Sequence, residues 1–415
     1  MNSVSKIFRG DIYIWALFLF FCLISLVEVY SASSSLTFGT NYWSPVLKHA
    51  GFIIFGVIIA LLCHAVKPRF FILLMLGLPL VWILLILTKA VGSTVNDAQR
   101  WMELGGVSFQ PSELAKICLI ATVAFFMSRH KEEREDKTFR NILIATVITC
   151  GLILLDNFST AALLAVVVFF MLWIGPYSKK RLGLIALGGG GLLVILMIFL
   201  LTASPEMIKK LPRGNTWLKR IENFREKEDL NPDTYKIGDD NKQRAFSQIA
   251  ISSGGFIGNL PGNTQESNNL HLAHTDFIYS IIIEEFGIII GGAGLVLLYI
   301  ILFIRAGKIA NRCDKLFPKY LVMGSAIMIV FQAMVNMAVA VDLLPITGQN
   351  LPLVSRGGSS MLVTTAYIGI ILSVSRYENA SGIEADQQIE AEIEEQEVKS
   401  EEQNFWSPEV NEIND

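Results

Sequence analysis

Residues 271–304 read HLAHTDFIYSIIIEEFGIIIGGAGLVLLYIILFI, a polar turn from His271 to Asp276 followed by an apolar run from Phe277 to Ile304. The run exceeds the ~20 residues that carry a helix across the hydrocarbon core of a bilayer. Asp276 stands at its mouth and ends the longest polar stretch in the first 380 residues. A carboxylate where a loop enters the membrane loses hydration unless it is paired or faces water, which makes it a functional candidate by default. It could meet both an aqueous and a lipid-borne reactant, a placement that suggests chemistry at a membrane surface.

The same character extends outward along the chain. Of 415 residues, 52% are hydrophobic and 17% charged, and the mean hydropathy is +0.50. A soluble chain carries about a quarter charged residues. Ten stretches approach membrane-spanning length, at 12–30, 46–66, 70–91, 113–128, 140–156, 158–175, 182–203, 277–304, 320–341 and 361–376. The expectation is an all-α, polytopic membrane protein with about ten transmembrane helices. The segments at 113–128 and 140–156 are short, so tilt, re-entrance or a miscounted pair stays open. Lys6 and Arg9, Lys67 and Arg69, the basic residues of 129–137, Lys179–Arg181 and those of 305–319 fall in alternate connections. By the positive-inside rule this places both termini in the cytoplasm and the loops 91–112, 204–276 and 342–360 outside. The first segment lacks a small-residue cleavage site and reads as a retained helix.

Charge divides the chain into a membrane domain, 1–380, and a tail, 381–415. The tail holds twelve acidic residues and one lysine, a balance of −11, so the rest carries +8 of the net −3. Its low apolar content predicts a disordered cytoplasmic segment. The five cysteines form no CxxC pair, which suggests neither a zinc site nor a disulfide framework. The Gly188–Gly191 run and Gly291, Gly292 and Gly294 do not form the matching halves of a transporter repeat, and small residues at helix contacts account for both. Within the long loop 204–276, residues 241–251 fit an amphipathic helix capped by Asp239 or Asp240. The glycine-rich piece 252–263 after it permits close approach of backbone to a ligand. It lacks the Lys-Ser/Thr ending of a phosphate-binding loop.

Four polar clusters are expected on the outer face: Arg100-Trp101 with Glu103, the run from Gln110 to Lys116, the His274–Asp276 turn, and Leu351 to Ser360. Pro111 suits a first helical turn. Glu113 and Lys116, three apart, share a face and can pair. The simpler reading is an ion pair at a helix end; the other is a pair pointing into a cavity, as intramembrane charges usually do. His271, His274 and Asp276 are a weak zinc signal, and loop histidines that position Asp276 fit better. A magnesium or manganese ion carried on a phosphate substrate stays open.

Together these motifs resemble the SEDS family (shape, elongation, division and sporulation), in particular its FtsW/RodA glycosyltransferases. The resemblance rests on Arg100-Trp101, Gln110-Pro111-Ser112-Glu113-Leu114-Ala115-Lys116, Ser253-Gly254-Gly255 with Gly258, and Ala273-His274-Thr275-Asp276-Phe277-Ile278. Glu284-Glu285-Phe286-Gly287 and Leu351-Pro352-Leu353-Val354-Ser355 with Gly357-Gly358-Ser359-Ser360 complete the set in family order. It implies a SEDS-type fold in the bacterial cytoplasmic membrane, and polymerisation of lipid II, an undecaprenyl-diphosphate-linked disaccharide peptide, into glycan strands. Asp276 falls on the family's catalytic aspartate. Arg100, Glu113, Lys116, Asp156, His274, Thr275, Ser355 and Arg356 become substrate-binding candidates, with Arg100, Lys116 and Arg356 as the cations facing the diphosphate. The implied partners are a class B penicillin-binding protein transpeptidase and other division proteins, and no nucleic acid.

The sequence departs from the family at Leu155-Asp156-Asn157-Phe158-Ser159-Thr160, where a glycine is lost, at Gln265-Glu266-Ser267 and at Ile346-Thr347-Gly348-Gln349, where lysines are common. These changes remove positive charge without touching Asp276. A lipid II flippase is the competing class, and a scaffold that only recruits a transpeptidase is a third. The long loop ending on Asp276 favours the enzyme. Within the family the Leu351–Ser360 run and the tail lean towards the division type over the elongation type.

Overall fold

The computed structural model describes residues 8–31, 43–95, 98–104, 107–154, 156–202, 242–262 and 275–378, with 207, 214 and 218 beside them. The acidic tail, most of the loop 204–276, His271, His274 and the caps expected at Asp239 or Asp240 lie outside the described residues.

Each of the ten apolar stretches is a helix: α1 (Ile12–Ser31), α2 (Trp43–Ala65), α3 (Leu73–Val91), α4 (Pro111–Ser128), α5 (Glu135–Leu154), α6 (Phe158–Ile174) and α7 (Lys179–Thr202). After the amphipathic α8 (Lys242–Gly254) follow α9 (Ile278–Arg312), α10 (Leu316–Ala340) and α11 (Ser359–Glu378). Helices are the outcome that hydrocarbon imposes, because each backbone N–H and C=O must find its partner within the segment. Among the described residues eight helices are long and apolar enough to cross a membrane. Of the other two, α6 has 17 residues and α7 has 24.

The bundle is layered by burial. In α11, 83% of the span is buried and in α4 78%, against 22% in α2. The first two therefore form the inside of the bundle, and α2 turns Leu47, Ile54, Phe55, Ile58 and Leu62 outward as a lipid-facing surface would. Close crossings depend on small residues. A Cβ on Gly324 of α10 would come within 2.7 Å of Ile120 on α4 and of Met171 on α6. One end of the bundle is tied by the Asp11–Arg305 ion pair, with Arg305 stacked 4.2 Å over the Tyr13 ring, and by His64 Nε2 on the Arg9 carbonyl at 2.8 Å. The opposite end carries the polar clusters.

Two features depart from the sequence reading. The connection before α4 is not irregular: β1 (Ser93–Val95), β2 (Ala98–Leu104) and β3 (Val107–Phe109) form an antiparallel meander in that order. Trp101 of β2 pairs with Ser93, and Met102 with Phe109. The pairs Asn96-Asp97 and Gly105-Gly106 between the strands are hairpin signals that an all-α reading passes over. The Gly188–Gly191 run makes no close helix contact among the described residues either: an added Cβ meets nothing within 4 Å at any of the four.

The glycine-rich piece after α8 does permit close approach, but to α9 and not to a ligand. Asn259 N and Leu260 N donate to the carbonyls of Glu284 and Glu285, each at 2.9 Å, and Ile288 N donates to Gly255 O at 2.9 Å. Those two carbonyls are thus drawn away from the helix ladder. The helix answers by widening into a π-turn over Gly287–Ala293 before resuming as an ordinary helix. Gly258 (φ +88°) and Gly287 (φ +76°) are required here, since a Cβ on either would lie 2.2 to 2.3 Å from a backbone oxygen of the other segment.

Candidate active site

The site is built on the chain between α10 and α11. Beyond Ala340 the backbone turns at Asp342 (φ +61°) and then runs inward, so that Leu351, Leu353, Val354 and Ser355 are buried. A buried non-helical segment must have its backbone polar groups met by side chains. Ser25 of α1 donates to Val354 O at 2.7 Å, and the Tyr299 hydroxyl of α9 donates to Pro352 O at 2.5 Å. Gln332 and Asn336 of α10 donate to Asn350 O at 3.0 Å and Gln349 O at 2.6 Å. Gln349 in turn donates to Thr160 Oγ1 of α6 at 2.9 Å. The loop is fixed by at least four helices.

Asp276 lies in the turn that opens α9, half-buried like Thr275. Its carbonyl accepts from Asn336 Nδ2 at 2.8 Å, and the Thr275 carbonyl accepts from Ser355 Oγ at 2.5 Å. A Cβ on Gly348 would lie 3.7 Å from Asp276 Oδ2, so the inward-running loop backs the carboxylate. α8 closes the arrangement. Arg244 and Gln248 both donate to Asp342 Oδ2 at 2.8 Å, and Ser247 donates to Ala340 O at 2.8 Å.

The α4 entry is as the sequence predicts. Gln110 is the N-cap, Pro111 the first helical residue, and Glu113 meets Lys116 at 2.8 Å. Both are buried, and Lys116 Nζ also donates to Gln332 Oε1 at 3.0 Å. An ammonium this deep needs both partners, because an unpaired buried ion costs several kcal/mol. A small open pocket lies beside the pair, lined by Thr88, Arg100, Gln110, Ser112, Asp156 and Asn157 among others. Glu113 and Lys116, expected either as a helix-end pair or as a pair pointing into a cavity, are not in this lining. Lys116 lies one turn beyond Ser112 on the same helix face, and its ammonium reaches Gln332 of α10.

Asp156 and Arg100 thus share one pocket, while Glu113, Lys116, Thr275, Ser355 and Asp276 belong to one connected hydrogen-bonded body. Arg356 follows Ser355 on the buried loop, and burial pulls its guanidinium below the usual arginine range. Arginine keeps its charge in proteins, and a guanidinium partly stripped of water favours an anionic ligand. Three residues of this body carry no motif signal on their own: Gln332, Asn336 and Gln349. The first two were findable as amides four apart in an otherwise apolar helix. Asn157 was missed as well. Its Oδ1 caps α6 by accepting from Thr160 N at 3.2 Å. Among the described residues no group of three His, Cys, Asp or Glu side chains converges to hold a metal.

A polytopic helical membrane protein with a carboxylate at a helix mouth, backed by a buried re-entering loop, is the class that fold and site define. The sequence pattern of the family described as "Cell cycle protein" (FtsW, RodA, SpoVE) matches residues 11–380, and the chain belongs to that family. It is 35% identical over 300 residues to the "Probable peptidoglycan glycosyltransferase FtsW" of Haemophilus influenzae, covering 70% of this chain and 71% of the relative. To the protein of the same name in Saccharophagus degradans it is 30% identical over 370 residues, covering 85% and 89%. Among solved structures it matches a chain of the complex described as "Structural coordination of polymerization and crosslinking by a peptidoglycan synthase complex", with TM-score 0.67, 25% identity and coverage of 89% and 98%. It also matches a mutant of the Rod shape determining protein RodA of Thermus thermophilus, with TM-score 0.61, 26% identity and coverage of 88% and 97%.

Proposed function

We propose that this chain is a peptidoglycan glycosyltransferase that polymerises lipid II at the outer face of the cytoplasmic membrane. The observation that carries the proposal is Asp276, a carboxylate at the entry of a membrane helix whose turn is held through two successive carbonyls by Ser355 and Asn336. Asp276 accepts the proton of the acceptor sugar 4-hydroxyl as that oxygen attacks the anomeric carbon of the growing chain. The bond from that carbon to the lipid diphosphate breaks, and the electron pair leaves with the diphosphate. Arg100 and Arg356 are the cations offered to that developing charge. A magnesium or manganese ion would arrive on the diphosphate, whose oxygens are the hard ligands such ions take.

The names of the relatives support a role in septal synthesis, with the neighbouring rod-shape protein marking elongation as the alternative. A class B penicillin-binding transpeptidase is the proposed partner, in keeping with the synthase complex among the neighbours. The test is glycan polymerisation from lipid II by the purified protein, with and without that partner and with and without divalent metal. Asp276→Asn nearly preserves shape but removes the base, and its rate is expected to fall ~10²–10⁴-fold. A mutant that polymerises at the wild-type rate overturns the assignment, and a wild-type protein that transports lipid II without polymerising it identifies a flippase.

A further inference from the structure

Gln332 and Asn336 sit one turn apart on α10, so their side chains lie on the same face. Both are buried in an otherwise apolar stretch, where an amide without partners is costly. Gln332 accepts from Lys116 Nζ and donates to Asn350 O, each at 3.0 Å. Asn336 Nδ2 donates to Gln349 O at 2.6 Å and to Asp276 O at 2.8 Å, which uses both of its N–H groups. Ser355 Oγ, also buried, accepts from Leu351 N at 2.8 Å and donates to Thr275 O at 2.5 Å. Two successive carbonyls of the turn that bears the carboxylate are thus each gripped by one side chain, from two different elements.

The geometry points to Asn336 and Ser355 as positioning residues for Asp276. They act through the backbone of the turn and do not touch the reacting atoms. The inference rests on the reading of Asp276 as the base. It gives Ser355 a different task from substrate binding, since its hydroxyl is occupied on both the donor and the acceptor side. It also links Glu113–Lys116 to the carboxylate, because Lys116 holds Gln332 one turn from Asn336 on the same helix face. A carboxylate displaced by ~1 Å loses on the order of 10²-fold in rate while the rest of the substrate is still bound.

The experiment measures initial polymerisation rates against lipid II concentration for Asn336→Leu, Ser355→Ala and Ser355→Thr, normalised to folded protein after size exclusion. The expected result for Asn336→Leu and Ser355→Ala is a kcat lowered ~10²-fold with KM within about threefold of wild type. Ser355→Thr, which keeps the hydroxyl, is expected to recover at least tenfold of what Ser355→Ala loses. A purely structural role lowers the yield of folded protein and leaves the normalised kcat unchanged, and that result overturns the inference. So does a raised KM at constant kcat, which would return Ser355 to substrate contact. If Asn336→Leu does not survive extraction, the Ser355 pair decides, and equal kcat for its Ala and Thr forms counts against the proposal. Asp276→Asn in the same assay separates the two levels. Normal polymerisation by that mutant removes the functional reading itself. A dead Asp276→Asn beside normal Asn336→Leu and Ser355→Ala removes only the positioning claim.

Discussion

Lys116 is an ammonium enclosed by apolar helices, and its two partners, Glu113 at 2.8 Å and Gln332 at 3.0 Å, lie on different elements. That burial sets the pair apart from an exposed ion pair at a helix end. An exposed pair contributes ~0–1 kcal/mol, whereas removing one partner of a buried pair costs ~3–5 kcal/mol, because the other charge stays behind. Glu113→Ala and Lys116→Ala are each expected to cut polymerisation strongly and to lower thermal stability in detergent. The double mutant should lose less than the two single losses combined, since the residues act on one another. Initial rates and melting temperatures of the four variants check this. Normal rates in both single mutants would reduce the pair to a structural one. The pairing was legible from the i, i+3 spacing alone. The contact with Gln332 was not, since 216 residues separate the two partners.

At the scale of elements, the break in α9 shows how a neighbour can reshape a helix. Its apolar run predicts one uninterrupted span, yet the segment 254–262 takes the carbonyls of Glu284 and Glu285, and a π-turn follows. The glycines that make this contact respond differently to substitution from those that touch nothing. Gly258→Ala forces a side chain to φ +88° and against the Glu285 carbonyl, and is expected to cost at least ~1–3 kcal/mol. Gly189→Ala sits in α7 with open space around it and should be neutral or stabilising by ~0.5–1 kcal/mol. Thermal unfolding of both variants in detergent measures the contrast, and equal melting temperatures would show that the docked segment contributes nothing. Sequence identified both glycine clusters as special but could not rank them. A glycine's role depends on what lies opposite its missing Cβ.

For the whole molecule, the arrangement of the basic loops carries a prediction about sidedness. In a cysteine-free background, Ser252→Cys on α8 is expected to react with an impermeant thiol reagent added outside, and Lys67→Cys, at the opposite end of the bundle, is not. Both positions are exposed, so access and not burial sets the outcome. The reverse pattern would place Asp276 on the cytoplasmic side and end the proposal of extracytoplasmic polymerisation. Sequence by itself determined the ten apolar helices, the amphipathic α8, the proline-led entry of α4 with its ion pair, and the candidate aspartate. Each of these follows from local composition, period or spacing, because a bilayer leaves few structures open to a run of apolar residues. Only the tertiary structure decided that Lys116 meets Gln332, that the glycine-rich piece serves α9, and that Asn336 and Ser355 hold the turn of Asp276. Those outcomes rest on backbone carbonyls meeting side chains from distant helices. A carbonyl is the same at every position in a sequence, so nothing but the packing selects which one is held.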